Sequence, residues 1–169
     1  MSPSPQNPSP QNPSPQNQGL IDMVARRTSA SRAIAAAPEA IFELLVNPSN
    51  HSRFDGSDMV NNAAGTSNER LSLGSKFQMN MTFKFLPYRI GNTVVEFDES
   101  RLIAWQHFGK HRWRYTLEPI EEGTLVTETF DWSTALVPKA IEAAGYPKAH
   151  LGNIERTLER LAGLVEEST

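Results

Sequence analysis

Cysteine is absent from the 169 residues, which excludes disulfides, thiolate metal ligands and cysteine nucleophiles and leaves the redox compartment open. Positive charge is in deficit. Sixteen Lys+Arg stand against 19 Asp+Glu, for a net charge of -3 and a pI near 5.8, so no global field draws in nucleic-acid phosphates or anionic lipid. No apolar run reaches the ~18–20 residues that cross a bilayer, and the N-terminus has neither a basic nor an apolar signal region. We therefore expect no membrane span, no nucleic-acid partner and, by default, a cytoplasmic location. No HExxH, Walker or dinucleotide fingerprint occurs, and the four histidines lack local metal-ligand spacing, so neither metal nor nucleotide nor other cofactor is expected.

What is present begins with a tail. From Ser4 a unit Ser-Pro-Gln-Asn-Pro repeats about three times before Gln18 and Gly19. It has no apolar side chain to offset the entropy of ordering, and its prolines favour extended conformers. Residues 1–27 are therefore expected to be disordered, and the spacing Pro5-Gln6-Asn7-Pro8 matches a PxxP ligand weakly. Leu20, Ile21, Met23 and Val24 form a short apolar patch that either docks on the domain or frays. Residues 28–167 suit one domain by the prior of ~100–200 residues per domain.

Within that domain, 28–36 reads as a strand, and Ala37-Pro38-Glu39 opens a helix whose Ile41, Phe42 and Leu45 share one face until Asn47-Pro48 closes it. A second brief turn of helix is expected at 49–54. The clearest strand is 76–85, where Phe77, Met79, Met81, Phe83 and Phe85 alternate with polar neighbours, one face buried and the other wet. Four more strands are predicted at 88–97, 102–108, 111–120 and 124–133, joined by turns short enough to imply antiparallel hairpins. Residues 137–144 read as a helix stopped by Gly145-Tyr146-Pro147. From Lys148 a longer helix carries Leu151, Ile154, Leu158, Leu161 and Val165 in one apolar stripe. That order gives an α+β domain in which a curved antiparallel sheet wraps a long C-terminal helix.

Four segments resemble the START/Bet v 1-like (SRPBCC, polyketide cyclase) superfamily over roughly residues 28–167. Ala36-Ala37-Pro38-Glu39-Ala40-Ile41-Phe42 is similar to its APxxVF opening. Val46-Asn47-Pro48-Ser49, with His51 and Phe54, resembles a DPxxxxxW segment with Asn for Asp and Phe for Trp. Leu73-Gly74-Ser75-Lys76-Phe77 resembles the entry to the third strand, and Trp113 to Pro119 with Gly123 to Thr127 the penultimate hairpin. The resemblance implies a helix-grip fold with a cavity between sheet and helix. Relatives use that cavity for sterols, lipids, quinones, plant hormones and polyketide intermediates; some are cyclases or aromatases and many only bind or carry. Fold alone does not decide among these.

Strand parity then nominates residues. If the turn at 121–123 sets Leu117 opposite Val126, Tyr115 faces Glu128 and Trp113 faces Phe130, on a face that also holds His111. A carboxylate among aromatics must pair, hydrogen-bond or rise in pKa, so Glu128, with Tyr115 and His111, is the candidate for proton transfer or ligand orientation. A one-residue slip turns it outward, and a structural partner or solvent at an open end is the plainer reading. A two-residue Gly109-Lys110 turn places Phe108, Gln106 and Ala104 inward and Trp105 and His107 outward; another turn length reverses this. His51 and His150 are expected on the surface. The wall implied for the cavity is Phe42, Leu45, Phe77, Met79, Met81, Phe83, Tyr88, Trp113, Tyr115, Phe130, Ile154 and Leu158, with the methionines suited to an adaptable pocket.

Two functions follow as expectations. One is a binder or carrier of a hydrophobic small molecule (lipid, polyketide or quinone-like), acting as a monomer or homodimer. The alternative is a cyclase, aromatase or dehydratase using a cavity carboxylate. A tight polar pair deep in the pocket favours the enzyme, and an all-apolar pocket the carrier.

Overall fold

The computed structural model describes residues 19–64 and 69–166; the tail repeat and its PxxP spacing lie outside the described residues. Eight strands form one antiparallel sheet: β1 (Leu20–Asp22), β2 (Arg27–Ile34), β3 (Val60–Ala63), β4 (Lys76–Phe83), β5 (Leu86–Asp98), β6 (Leu102–Gln106), β7 (Arg112–Ile120) and β8 (Gly123–Asp131). They lie in the order β1-β2-β8-β7-β6-β5-β4-β3. Because all neighbours are antiparallel, the turns after β1, β4 and β6 and the chain leaving β8 share one end of the sheet. The turns after β5 and β7 share the other.

Four helices complete the domain: α1 (Pro38–Leu45), α2 (His51–Phe54), α3 (Pro138–Ala143) and α4 (Tyr146–Glu166). Proline at the first turn starts α1, and the predicted face, Ile41, Phe42 and Leu45, is wholly buried. Helix α4 starts two residues before the expected Lys148, because Pro147 fits a first turn where its missing N–H costs nothing. The stripe Ile154, Leu158, Leu161, Val165 is buried in the core between α4 and the sheet, each side chain contributing about 1.5–3 kcal/mol.

Two expectations need correction and one strand was not anticipated. The ordered chain begins before residue 28, since Leu20–Asp22 pairs with Arg27–Ser29 as an edge strand and Ile21 packs on the core. Strand β3 gave no apolar alternation, because Val60-Asn61-Asn62-Ala63 is an edge strand with two exposed polar residues. The strand predicted to Phe85 ends at Phe83. The β4–β5 hairpin overhangs its neighbour, the last residue of β6, Gln106, pairing with Thr93, so no strand covers its tip. Phe83 and Phe85 are accordingly exposed, not inward.

Candidate functional site

The β7–β8 register pairs Leu117 with Val126, Tyr115 with Glu128 and Trp113 with Phe130, so alternate residues point under the curve of the sheet. There, bounded by β4 to β8, by α4 and by the loop between α2 and β3, lies a cavity of about 210 Å³. Phe77, Met79, Met81, Ile90 and Trp105 supply its apolar wall. Tyr115, Glu128, Asn92 and Thr157 supply polar groups, and Tyr88, His107, His111 and His150 line the end that faces the β6–β7 turn.

Glu128 is the chemical centre of the cavity. It is 3% exposed, and the Tyr115 hydroxyl donates to its Oε1 at 2.8 Å. Its Oε2 is buried without a hydrogen-bond partner. Burial raises the carboxyl pKa from 4.5 to about 8; the Tyr115 hydrogen bond opposes this, the Asp55 charge adds to it, and the Thr157 hydroxyl acts against it from nearby without meeting hydrogen-bond geometry at Oε2. At neutral pH the group is therefore mainly the acid. Burial, and then the Glu128 charge, push the Tyr115 phenol well above its ordinary value, so it stays a donor.

The four histidines, all lowered in pKa by burial, are neutral near pH 7, and the tautomers of His51 and His107 follow from their partners. His51 Nε2 lies 2.8 Å from the Leu45 carbonyl, which can only accept, so Nε2 carries the proton. His107 Nδ1 accepts from the Gly109 N–H, leaving its proton on Nε2, which donates to His111 Nε2. A second proton on either ring would set N–H against N–H. Burial, and then His107 and His150, lower His111 to about 3, while burial lowers His107. His150 is lowered by burial to about 4 despite the Asp55 charge. The Asp55 carboxylate is occupied by its own loop, accepting from the Ser57 hydroxyl and the Met59 and Val60 N–H groups. That loop is pinned to α4, where Gly56 N–H donates to Thr157 Oγ1 and Arg156 Nε donates to the Gly56 carbonyl. A Cβ on Gly56 would meet the Asn153 carbonyl at 2.1 Å, so only glycine allows this approach.

Of the residues nominated from sequence, Glu128, Tyr115, His111, Phe77, Met79, Met81, Tyr88 and Trp113 line the cavity. Phe42, Leu45, Ile154 and Leu158 do not: they are fully packed in the core, Phe42 against Phe97. On α4 the lining falls to the adjacent strip, His150, Asn153 and Thr157. Phe130 lies one layer back, its ring against His150 and Trp113, and Phe83 projects into solvent. Trp105 and His107 face inward because the connection at 107–111 is longer than two residues; Trp105 pairs with Trp113 and Phe108 is left 82% exposed. His51 and His150 are not surface residues either: His51 is buried and stacked on Trp105, and His150 packs against Phe130. The period-two run Tyr88, Ile90, Asn92 on β5 was a readable signal for Ile90 and Asn92; Asp55, Met59 and Val60 had none. Among the described residues no group of three or more His, Asp or Glu is arranged to hold a metal ion.

Residues 25–166 match the family described as polyketide cyclase/dehydrase and lipid transport. An uncharacterised protein of Mycobacterium tuberculosis H37Rv is 34% identical over 148 residues, 85% of this chain and 66% of that protein, so the chain spans just under two thirds of the relative's length. Among solved structures, a Rhodobacter sphaeroides protein superposes with a TM-score of 0.69 at 17% identity, covering 90% of this chain and 99% of the other. A polyketide-cyclase-like protein of Corynebacterium glutamicum gives 0.60 at 20% identity, covering 86% and 94%. At such identities the structural likeness concerns the helix-grip fold alone.

Proposed function

Because this chain belongs to the polyketide cyclase/dehydrase and lipid transport family, we propose that it binds an uncharged, mainly apolar small molecule whose oxygen reaches Glu128. The observation that carries the reading is Glu128, which lines the cavity with its Oε2 buried and without a hydrogen-bond partner. A protonated carboxyl there offers a donor that a ligand carbonyl or hydroxyl can accept, relieving the roughly 1–3 kcal/mol that an unsatisfied buried polar group costs. No Lys or Arg lines the cavity, so an anionic group would enter it uncompensated. The volume is below the usual ~300–1,000 Å³ of ligand pockets, which favours a compact ligand or the oxygenated end of a longer one. The flexible Met79 and Met81 can yield to it.

Filling the pocket tests this. Met81→Trp is expected to lower uptake of a fluorescent lipid analogue by at least about tenfold, because the indole occupies space the probe needs. Undiminished uptake would count against the cavity as the binding site.

The Tyr115–Glu128 pair favours a second reading, proton transfer in a cyclase or dehydratase. A carboxyl with a pKa of about 8 can protonate a carbonyl or leaving hydroxyl and recover the proton near neutral pH. Glu128→Gln keeps the shape and a donor but cannot transfer a proton. On this reading it retains ligand binding while turnover of a polyketide-like substrate disappears, and unchanged turnover sinks the assignment.

A further inference from the structure

The global deficit of positive charge hides a local excess. Four of the chain's five lysines, Lys84, Lys110, Lys139 and Lys148, lie at one end of the sheet, in the β4–β5 and β6–β7 turns, α3 and the first turn of α4. With Arg26 in the β1–β2 turn and Arg27 at the start of β2 they make six cations at that end. The carboxylates there are Asp22, Asp131, Glu142 and, in the loop entering β3, Asp55 and Asp58, and each is already engaged: Asp22 by the Val24 and Ala25 N–H groups, Asp131 by Arg27 and Ser133, Glu142 by Arg26 and the Trp132 indole, Asp55 by Ser57 and the Met59 and Val60 N–H groups, Asp58 by Arg160. Glu99, Glu121 and Glu122 occupy turns at the opposite end.

The same end carries exposed apolar side chains on four separate segments. Val24 is 97%, Phe85 94% and Phe108 82% exposed, joined by Leu86, Leu136 and Val137. Contacts link these segments: Arg26 of the β1–β2 turn pairs with Glu142 of α3, the helix that follows Leu136 and Val137. Leu136 N–H donates to the Gly109 carbonyl, and Tyr146, at the start of α4, is near enough to Tyr88 on the β4–β5 hairpin to help push its phenol up, after burial. Lys84 and Lys110 hold φ of 55° and 67°, conformations glycine adopts more cheaply. The backbone of neither turn requires a lysine, although Lys84 Nζ lies 5.7 Å from the centroid of the Phe83 ring.

We propose that this end of the domain docks on an anionic lipid bilayer, with the lysines at the headgroups and Val24, Phe85, Leu86 and Phe108 dipping between them. Charge complementarity fixes the sign of the surface. The apolar groups stand singly on protruding tips, a shape that enters the deformable headgroup zone, where buried apolar area and attraction to anionic lipid add. The cavity histidines His107 and His111 sit in the β6–β7 connection at this end, so docking sets the histidine-lined end of the pocket toward the membrane.

The test is co-sedimentation with phosphatidylcholine vesicles that do or do not contain about 30 mol% phosphatidylglycerol. The whole chain is expected to pellet with the anionic vesicles, weakly with the neutral ones, and to be released as salt rises from about 0.1 to 0.5 M. Lys84→Glu with Lys110→Glu, and separately Phe85→Ser with Phe108→Ser, are each expected to weaken binding by at least about tenfold. All four positions are exposed or in turns, and circular dichroism checks that the fold survives; the salt dependence of the unaltered chain decides independently of the variants. Failure to pellet with anionic vesicles overturns the proposal, and binding indifferent to salt and to both variants overturns it equally. No cavity ligand enters the assay, so its result is separate from the proposed function.

Discussion

Between about pH 4.5 and pH 9 the folded domain is expected to lose about 4 kcal/mol of stability through Glu128 alone, and Glu128→Gln is expected to remove that loss. Burial raises the folded-state pKa to about 8 from 4.5. Below 4.5 the carboxyl is protonated whether the chain is folded or not, and burial carries no ionic penalty. As pH rises, the unfolded chain releases its proton while the folded one keeps it. Stability then falls by about 1.4 kcal/mol per pH unit until the folded pKa is passed. The clean window is pH 7 to 9, where His51, His107, His111 and His150, all shifted downward, are neutral when folded and largely neutral when unfolded. About 1.4 kcal/mol of the loss falls there. Urea unfolding followed by the fluorescence of Trp105, Trp113 and Trp132 at pH 7, 8 and 9 measures it. Parallel declines for the unaltered chain and Glu128→Gln would show that the buried carboxyl does not carry the shift.

Acid acts through the histidines in the opposite sense. The His51 ring is buried among Phe54, Phe77 and Trp105, and burial lowers its pKa from 6.5 to about 4, against the raising effects of the Leu45 hydrogen bond and Asp55. A depressed folded pKa means the stabilisation is present above 6.5 and is lost as pH falls through 4. By pH 5 the unfolded chain has taken up most of a proton that the folded one refuses, a loss of about 2 kcal/mol relative to pH 7. His111 and His150, lowered to about 3 and 4, act in the same direction. His51→Phe preserves the ring stack but loses the hydrogen bond to the Leu45 carbonyl. It is expected to be less stable by about 1 kcal/mol at pH 7 and to decline by about 2 kcal/mol less on going to pH 5. An undiminished decline in the variant would place the acid sensitivity elsewhere. With the Glu128 effect, these histidines confine maximal stability to near-neutral pH.

The helix-grip architecture was legible because each strong pattern had one structural solution. Alternation in β4, the short β7–β8 turn and the stripe on α4 each fix which residues share a face, and the Tyr115–Glu128 pairing follows from that parity. The gaps and errors occurred where a count or an angle was missing. The length of the β6–β7 connection decides the parity of all of β6, so the facing of Trp105 and His107 stayed open from sequence and only the longer connection turned both inward. On α4, neighbouring residues differ by about 100° around the axis, enough to send Ile154 and Leu158 to the core and Asn153 and Thr157 to the cavity.

By itself, then, the sequence determined the fold class, the order of the elements apart from the edge strands β1 and β3, and, for the β7–β8 register it favours, the face that Glu128 shares with Tyr115, because period, turn residues and hairpin parity are local properties of the chain. Only the tertiary structure decided that Glu128 Oε2 is left without a partner, that the Asp55 loop lies on α4 at Gly56, that four histidines are held neutral, and that four lysines from distant segments share one end. Each of those depends on distances between residues up to about a hundred positions apart, and such separations are set by how the sheet curves and the helix seats against it, which no local pattern encodes.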